Sequence, residues 1–100
     1  MLTKGEKLFR KELATRIKNE RISRGISRDE LASDVNLSPK ELEEFETNNS
    51  DIGIIHLLSI ITLLEIDISE VEEFYNYHLQ EELEERIKKL GDRWPGNKQF

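Results

Sequence analysis

Residues 27–46 carry two helix-start signals eleven positions apart, and that spacing reads as two short helices joined by a tight turn. Ser27 with Glu30 and Ser38 with Glu41 each fit the S-x-x-E capping box, in which the two side chains satisfy free backbone N–H groups reciprocally. Pro39 falls at the first helical position, where its missing N–H costs nothing. Two helices about such a bend form the geometry that lets the second enter a DNA major groove. That helix carries four glutamates, Glu41, Glu43, Glu44 and Glu46, so its charge opposes what its geometry invites.

The chain of 100 residues fits one domain. It has no cysteine, which excludes a disulfide framework or a thiolate metal site. His56 and His78 lie 22 positions apart without an H-E-x-x-H spacing, so no metal or cofactor is expected. No apolar run approaches the roughly 18 residues of a membrane span, and residues 1–7 lack the apolar core of a secretory signal. The expectation is a soluble cytoplasmic protein. The paired glutamates come without a Gly-rich loop, nucleophile or metal cluster, so no enzyme is expected.

The net charge of −6 conceals segregation. Residues 1–28 sum to +6, residues 29–85 to −16 with Lys40 their sole base, and residues 86–100 to +4. The glutamate cluster at 81–85 reads as a solvated face. The basic first block borders the two-helix unit and offers it phosphate contacts.

Periodicity predicts five helices and an all-α fold. Helix one runs from about Glu6 to Arg24, burying Leu13, Ile17 and Leu8, and ends at Gly25. Helix two, about 28–35, buries Leu31, Ala32 and Val35; Asn36 takes a left-handed turn position. Helix three, about 39–46, buries Leu42 and Phe45. Helix four, about 54–64, is almost wholly apolar and should be the most buried element. Ser69 with Glu72 reads as a third capping box, opening a long last helix that ends near Leu90. Residues 1–75 then form the helix-turn-helix domain, and 76–100 an extension and tail.

Arg21, Gly25-Ile26-Ser27, Leu31-Ala32, Leu37-Ser38, Leu42, Glu46 and Leu57-x-x-Ile60-x-x-x-Leu64-x-Ile66 together resemble the Cro/C1-type (XRE-type, lambda repressor-like) helix-turn-helix family over residues 13–74. Phe45-Glu46, Asn49-Ser50-Asp51-Ile52, Ile68-Ser69 and Glu73-Phe74 are most similar to the DNA-binding domains of Rgg/MutR-type regulators. Those regulators usually continue into a peptide-sensing helical-repeat domain. The chain of 100 residues ends short of it, so only the DNA-binding portion transfers. The resemblance implies a buried ion pair, Arg21 with Glu46, and a transcriptional regulator of double-stranded DNA.

It also implies the contact positions: Arg24, Ser27 and Arg28 around the start of helix two, Ser38, Pro39, Lys40 and Glu44 on helix three, and Asn48 and Asn49 in the loop. Arg28 suits a phosphate or guanine O6/N7. Lys7, Arg10, Lys11 and Lys18 of helix one add phosphate contacts where they face the same side. Glu41 reads as a capping partner, leaving Glu44 as the main obstruction. Two-fold pairing would span two half-sites, and the candidate homodimer contact is Leu79, Leu83, Ile87 and Leu90 with Trp94; packing within the chain is the equal alternative for that stripe. A different class stays open as well. The same fold with an acidic helix three could be a protein-interaction module, an antirepressor, antitoxin-like partner or DNA-mimicking inhibitor.

Overall fold

The computed structural model describes residues 1–91 and contains α1 (Lys4–Ser23), α2 (Arg28–Asp34), α3 (Pro39–Glu46), α4 (Ile54–Leu63), α5 (Ile68–His78) and α6 (Gln80–Leu90). Thr3 opens α1 with a full capping box to Glu6. Ser27 and Ser38 open α2 and α3 in the same way, as their spacing predicts. The third predicted box does not form: Asp67 caps α5 by accepting the Ser69 N–H at 2.9 Å. Aspartate at that position takes the N-cap two residues ahead of Ser69, which falls inside the first turn.

Four helices end alike. The chain turns through positive φ at Gly25 (70°), Asn36 (60°), Asn48 (65°) and Glu65 (54°). In each case the next residue's N–H returns to a carbonyl five positions back: Ile26 to Arg21, Leu37 to Ala32, Asn49 to Glu44 and Ile66 to Ile61, at 2.8–3.1 Å. This closure satisfies orphan carbonyls at each C-terminus. After α1, α2 and α4 it also drives an apolar residue, Ile26, Leu37 or Ile66, inward against the core.

The core gathers Leu13, Ala14 and Ile17 of α1, Leu31, Ala32 and Val35 around α2, Leu42 and Phe45 of α3, and Ile60, Ile61 and Leu64 around α4. Val71 and Phe74 of α5 pack on its edge. Two expectations about burial need correction. Leu8 stands on the solvent side of α1, 39% exposed. Nor is α4 buried all round: Ile54, Ile55, Leu58 and Leu63 face outward, because the core needs only one side of the helix.

The long final helix is two helices, which makes six rather than five among the described residues. The break falls at Leu79, with φ −116° and ψ −31°. The α1 N-terminus sits against it. Thr3 Oγ1 and Gly5 N (3.1 Å) both bind the Glu82 carboxylate, and His78 Nε2 pairs with Glu12. Gly5 is buried there, and a Cβ on it would come within 2.5 Å of the His78 carbonyl oxygen. Leu79 shares a groove with Leu2, Phe9, Leu13 and Phe45, so part of the α6 stripe packs within the chain. Leu83 and Leu90 are half-buried and Ile87 exposed. Trp94 lies outside the described residues. No described helix is long and apolar enough to cross a membrane.

Candidate nucleic-acid interface

The α2–turn–α3 unit is held from both ends. At its entrances, Ser27 Oγ accepts the Glu30 N–H at 3.0 Å, and Ser38 Oγ accepts the Glu41 N–H at 3.1 Å. The glutamates return the bond, accepting the serine backbone N–H groups at 3.1 Å each. These backbone hydrogen bonds hold the Glu30 and Glu41 carboxyls below their ordinary range. Glu41 is therefore committed to capping, as the sequence suggests, and its charge sits favourably at a helix N-terminus.

At its far end α3 is tied to α1. Arg21 donates through Nε and Nη2 to the two Glu46 oxygens, at 2.8 and 2.9 Å, and through Nη1 to the Ile26 carbonyl at 2.9 Å. The Glu46 side chain is wholly inaccessible to solvent and that of Arg21 nearly so. The carboxylate holds the Arg21 guanidinium above its already high ordinary range. A bidentate, desolvated pair fixes direction as well as distance, so α3 leaves the core at a set angle to α1.

Arg28 departs from its expected freedom. Its Nε donates to Glu46 Oε1 at 3.1 Å, and its Nη1 lies 3.5 Å from Glu43. Arg24 is likewise engaged, by Glu20 at 2.9 Å and Glu65 at 3.4 Å. The loop residue Asn48 is an anchor: its Oδ1 and carbonyl oxygen both accept from Arg10, at 3.1 Å. Nothing in the residue spacing shows that Arg10 would hold this loop, because the two lie 38 positions apart. Asn49 is exposed and donates to Thr47 at 3.1 Å. Pro39 and Lys40 are exposed on α3, Glu44 is half-buried, and Lys40 makes no ion pair among the described residues.

On α1, Lys7, Lys11 and Lys18 also make no ion pair among the described residues. Their spacings of four and seven stack them on one face of the helix. His56 packs against the unit from behind, its Nδ1 donating to the Val35 carbonyl at 2.7 Å. His78 stacks edge-on to Tyr77, ring centroids 5.1 Å apart.

The arrangement is an all-α helix-turn-helix fold with two short capped helices, the second braced by a buried ion pair. The chain is similar to the solved structure of the clp gene regulator ClgR from Corynebacterium glutamicum, with 25% identity over 83% of this chain and 90% of that one and a TM-score of 0.61. No family model matches the chain, and no curated protein matches it.

Proposed function

We propose that this chain is a cytoplasmic transcriptional regulator of the Cro/C1 type, akin to the DNA-binding part of Rgg/MutR regulators, that binds double-stranded DNA as a homodimer. Residues 1–75 form the binding unit. The observation that carries the reading is the bracing of α3: the Arg21–Glu46 pair sets its angle while Pro39 and Lys40 at its N-terminal end stay exposed. Lys40 then meets base edges or a phosphate, and the Ser27 and Ser38 hydroxyls, whose hydrogens the caps do not use, donate to phosphate oxygens. Lys7, Lys11 and Lys18 supply a second line of phosphate contacts along α1. ClgR, a gene regulator to which the chain is similar, supports the reading.

One observation favours the second reading, a protein-interaction module with an acidic face. Arg24 and Arg28, the guanidiniums expected to hold phosphates, are already paired with carboxylates. For Arg28 itself to hold a phosphate, its guanidinium would have to leave Glu43 or bridge it to the phosphate.

The two are separated by titrating mixed-sequence duplex DNA at several salt concentrations. The regulator reading expects log affinity to fall linearly with log salt, and Lys40→Ala to shallow the slope by about one while leaving thermal stability unchanged. A folded protein that binds no duplex at about 50 mM salt sinks the regulator reading and leaves the protein-interaction one.

A further inference from the structure

Two arginines of α1 hold the exit of α3. Arg10 and Arg21 stand about three helical turns apart, so they project from one face of α1. Arg21 grips Glu46, the last residue of α3. Arg10 grips Asn48, two residues further on, in the loop that leads to α4. Its Nε donates to Asn48 Oδ1 and its Nη2 to the Asn48 carbonyl oxygen, each at 3.1 Å. Its Nη1 lies 3.5 Å from Asp51 in the same loop. Only 18% of the Arg10 side chain meets water, so its guanidinium is turned inward and not toward a phosphate.

Asparagine at position 48 answers two needs. It tolerates the left-handed backbone that follows α3, at φ 65°. Its amide oxygen also supplies one of the two acceptors that a guanidinium fork engages. Asn49 is placed by the same turn. Its backbone N–H donates to the Glu44 carbonyl at 2.8 Å and its Nδ2 to Thr47 Oγ1 at 3.1 Å, while the residue stays exposed. Nδ2 carries two hydrogens, and Thr47 takes one of them. Asn48 therefore serves α1, and Asn49 serves the surface.

We propose that Arg10 is a positioning residue for DNA binding: it ties the 47–51 loop to α1 and so fixes where Asn49 presents its second amide hydrogen to a phosphate. The inference rests on the regulator reading and adds to it a residue that shapes the interface without touching the duplex. Two bonds from one planar guanidinium to one residue fix orientation, which a single ammonium contact does not. A loop ordered beforehand is also spared the ordering cost that a loose one meets on binding.

The test pairs two measurements on the whole chain, well below its melting temperature. One is amide hydrogen exchange across 48–50 in the free protein; the other is the affinity for a labelled mixed-sequence duplex at several salt concentrations. Arg10→Ala should speed exchange in the loop at least about fivefold. It should also weaken duplex binding roughly three- to tenfold, with the slope of log affinity against log salt unchanged. Arg10→Lys keeps the charge but cannot engage both acceptors, so it should restore only a minor part of the loss. Asn48→Gly keeps the left-handed turn and the carbonyl acceptor, should fall between parent and Arg10→Ala, and decides the matter if Arg10→Ala unfolds. A slope shallower by about one in Arg10→Ala would make Arg10 a direct phosphate ligand and overturn the proposal. Unchanged loop exchange, or full recovery in Arg10→Lys, overturns it too. A parent chain that binds no duplex sinks the regulator reading and this proposal together, whereas a parent that binds no better than Arg10→Ala sinks this proposal alone.

Discussion

Arg28 Nε lies 3.1 Å from Glu46 Oε1, on the same carboxylate that Arg21 already grips with two bonds. One buried anion thus serves two cations from different helices, but unequally. Arg21 is almost fully desolvated, whereas the Arg28 side chain keeps 31% of its surface in water.

Removing the two partners should therefore cost different amounts. Arg21→Ala leaves Glu46 with one partly solvated partner and is expected to cost about 3–5 kcal/mol. Arg28→Ala leaves the bidentate pair intact and should cost about 1 kcal/mol or less. Urea unfolding of both variants checks the order. Equal losses would mean that Arg21 and Arg28 share the placing of α3 rather than Arg21 dominating it. The same reasoning makes Lys40→Ala a cleaner probe of DNA contact than Arg28→Ala, because Lys40 is exposed and makes no ion pair among the described residues.

Much of the fold is legible in the residues where local chemistry decides. The Ser27 and Ser38 boxes, Pro39, Gly25 and Asn36 all act within one turn of themselves, and the structure uses each as its type predicts. The Thr3–Glu6 box was equally visible in Thr3-Lys4-Gly5-Glu6, yet the glycine there argues against a helix interior. Only the Glu82 and His78 contacts explain it. The break at Leu79 has no local cause either, since neither proline nor glycine lies near it. For α4, only Ser59 and Thr62 mark the outward half, and four exposed aliphatic side chains on that same half obscure which side the core takes. At the candidate site the Arg21–Glu46 pair came from family resemblance. The capture of Arg28 by Glu46 and of Asn48 by Arg10 depends on tertiary placement that spacing does not encode.

Glu65 is the one of the four left-handed C-terminal positions held by a residue with no preference for it, at φ 54°. Its exposed contact with Arg24, at 3.4 Å, contributes little. Replacing it should relieve most of the roughly 1 kcal/mol that a side chain pays there. Glu65→Gly and Glu65→Asn are both expected to raise the thermal midpoint by a few degrees. A lower midpoint in both would show that the carboxylate does more than its geometry suggests.

Acid should weaken the clamp of α1 on α5. Arg16 donates to Glu70 at 2.7 Å and to Glu20 at 2.7 Å, and these bonds hold both carboxyls below their ordinary value of 4.5. A group whose folded pKa is depressed stabilises the fold above its unfolded pKa and loses that contribution as pH falls through the folded value. Melting temperature should thus be level from about pH 7 to 5 and decline below about pH 4.5. Glu70→Gln should melt lower than the parent at neutral pH and fall less steeply in acid. Parallel curves for the two proteins would remove Glu70 from the account.

Glu44 offers a direct reading of which partner α3 faces. It is half-buried on the helix that would lie in the groove, its carboxylate makes no ion pair with any described residue, and no capping bond accounts for it. Close to a phosphate, such a charge costs about 1 kcal/mol before screening. Glu44→Gln should then tighten duplex binding about two- to fivefold at roughly 50 mM salt, with the gain shrinking as salt screens the repulsion. The outcome is read by fluorescence anisotropy with a labelled duplex. If α3 instead presents its carboxylates to a cationic protein surface, removing one leaves DNA affinity where it was. Glu44→Gln bears on this more directly than Glu43→Gln, because the Glu43 carboxylate stands 3.5 Å from Arg28 and its loss would also free that arginine for phosphate. A gain from Glu43→Gln alone would therefore report the release of Arg28 rather than a carboxylate in the groove.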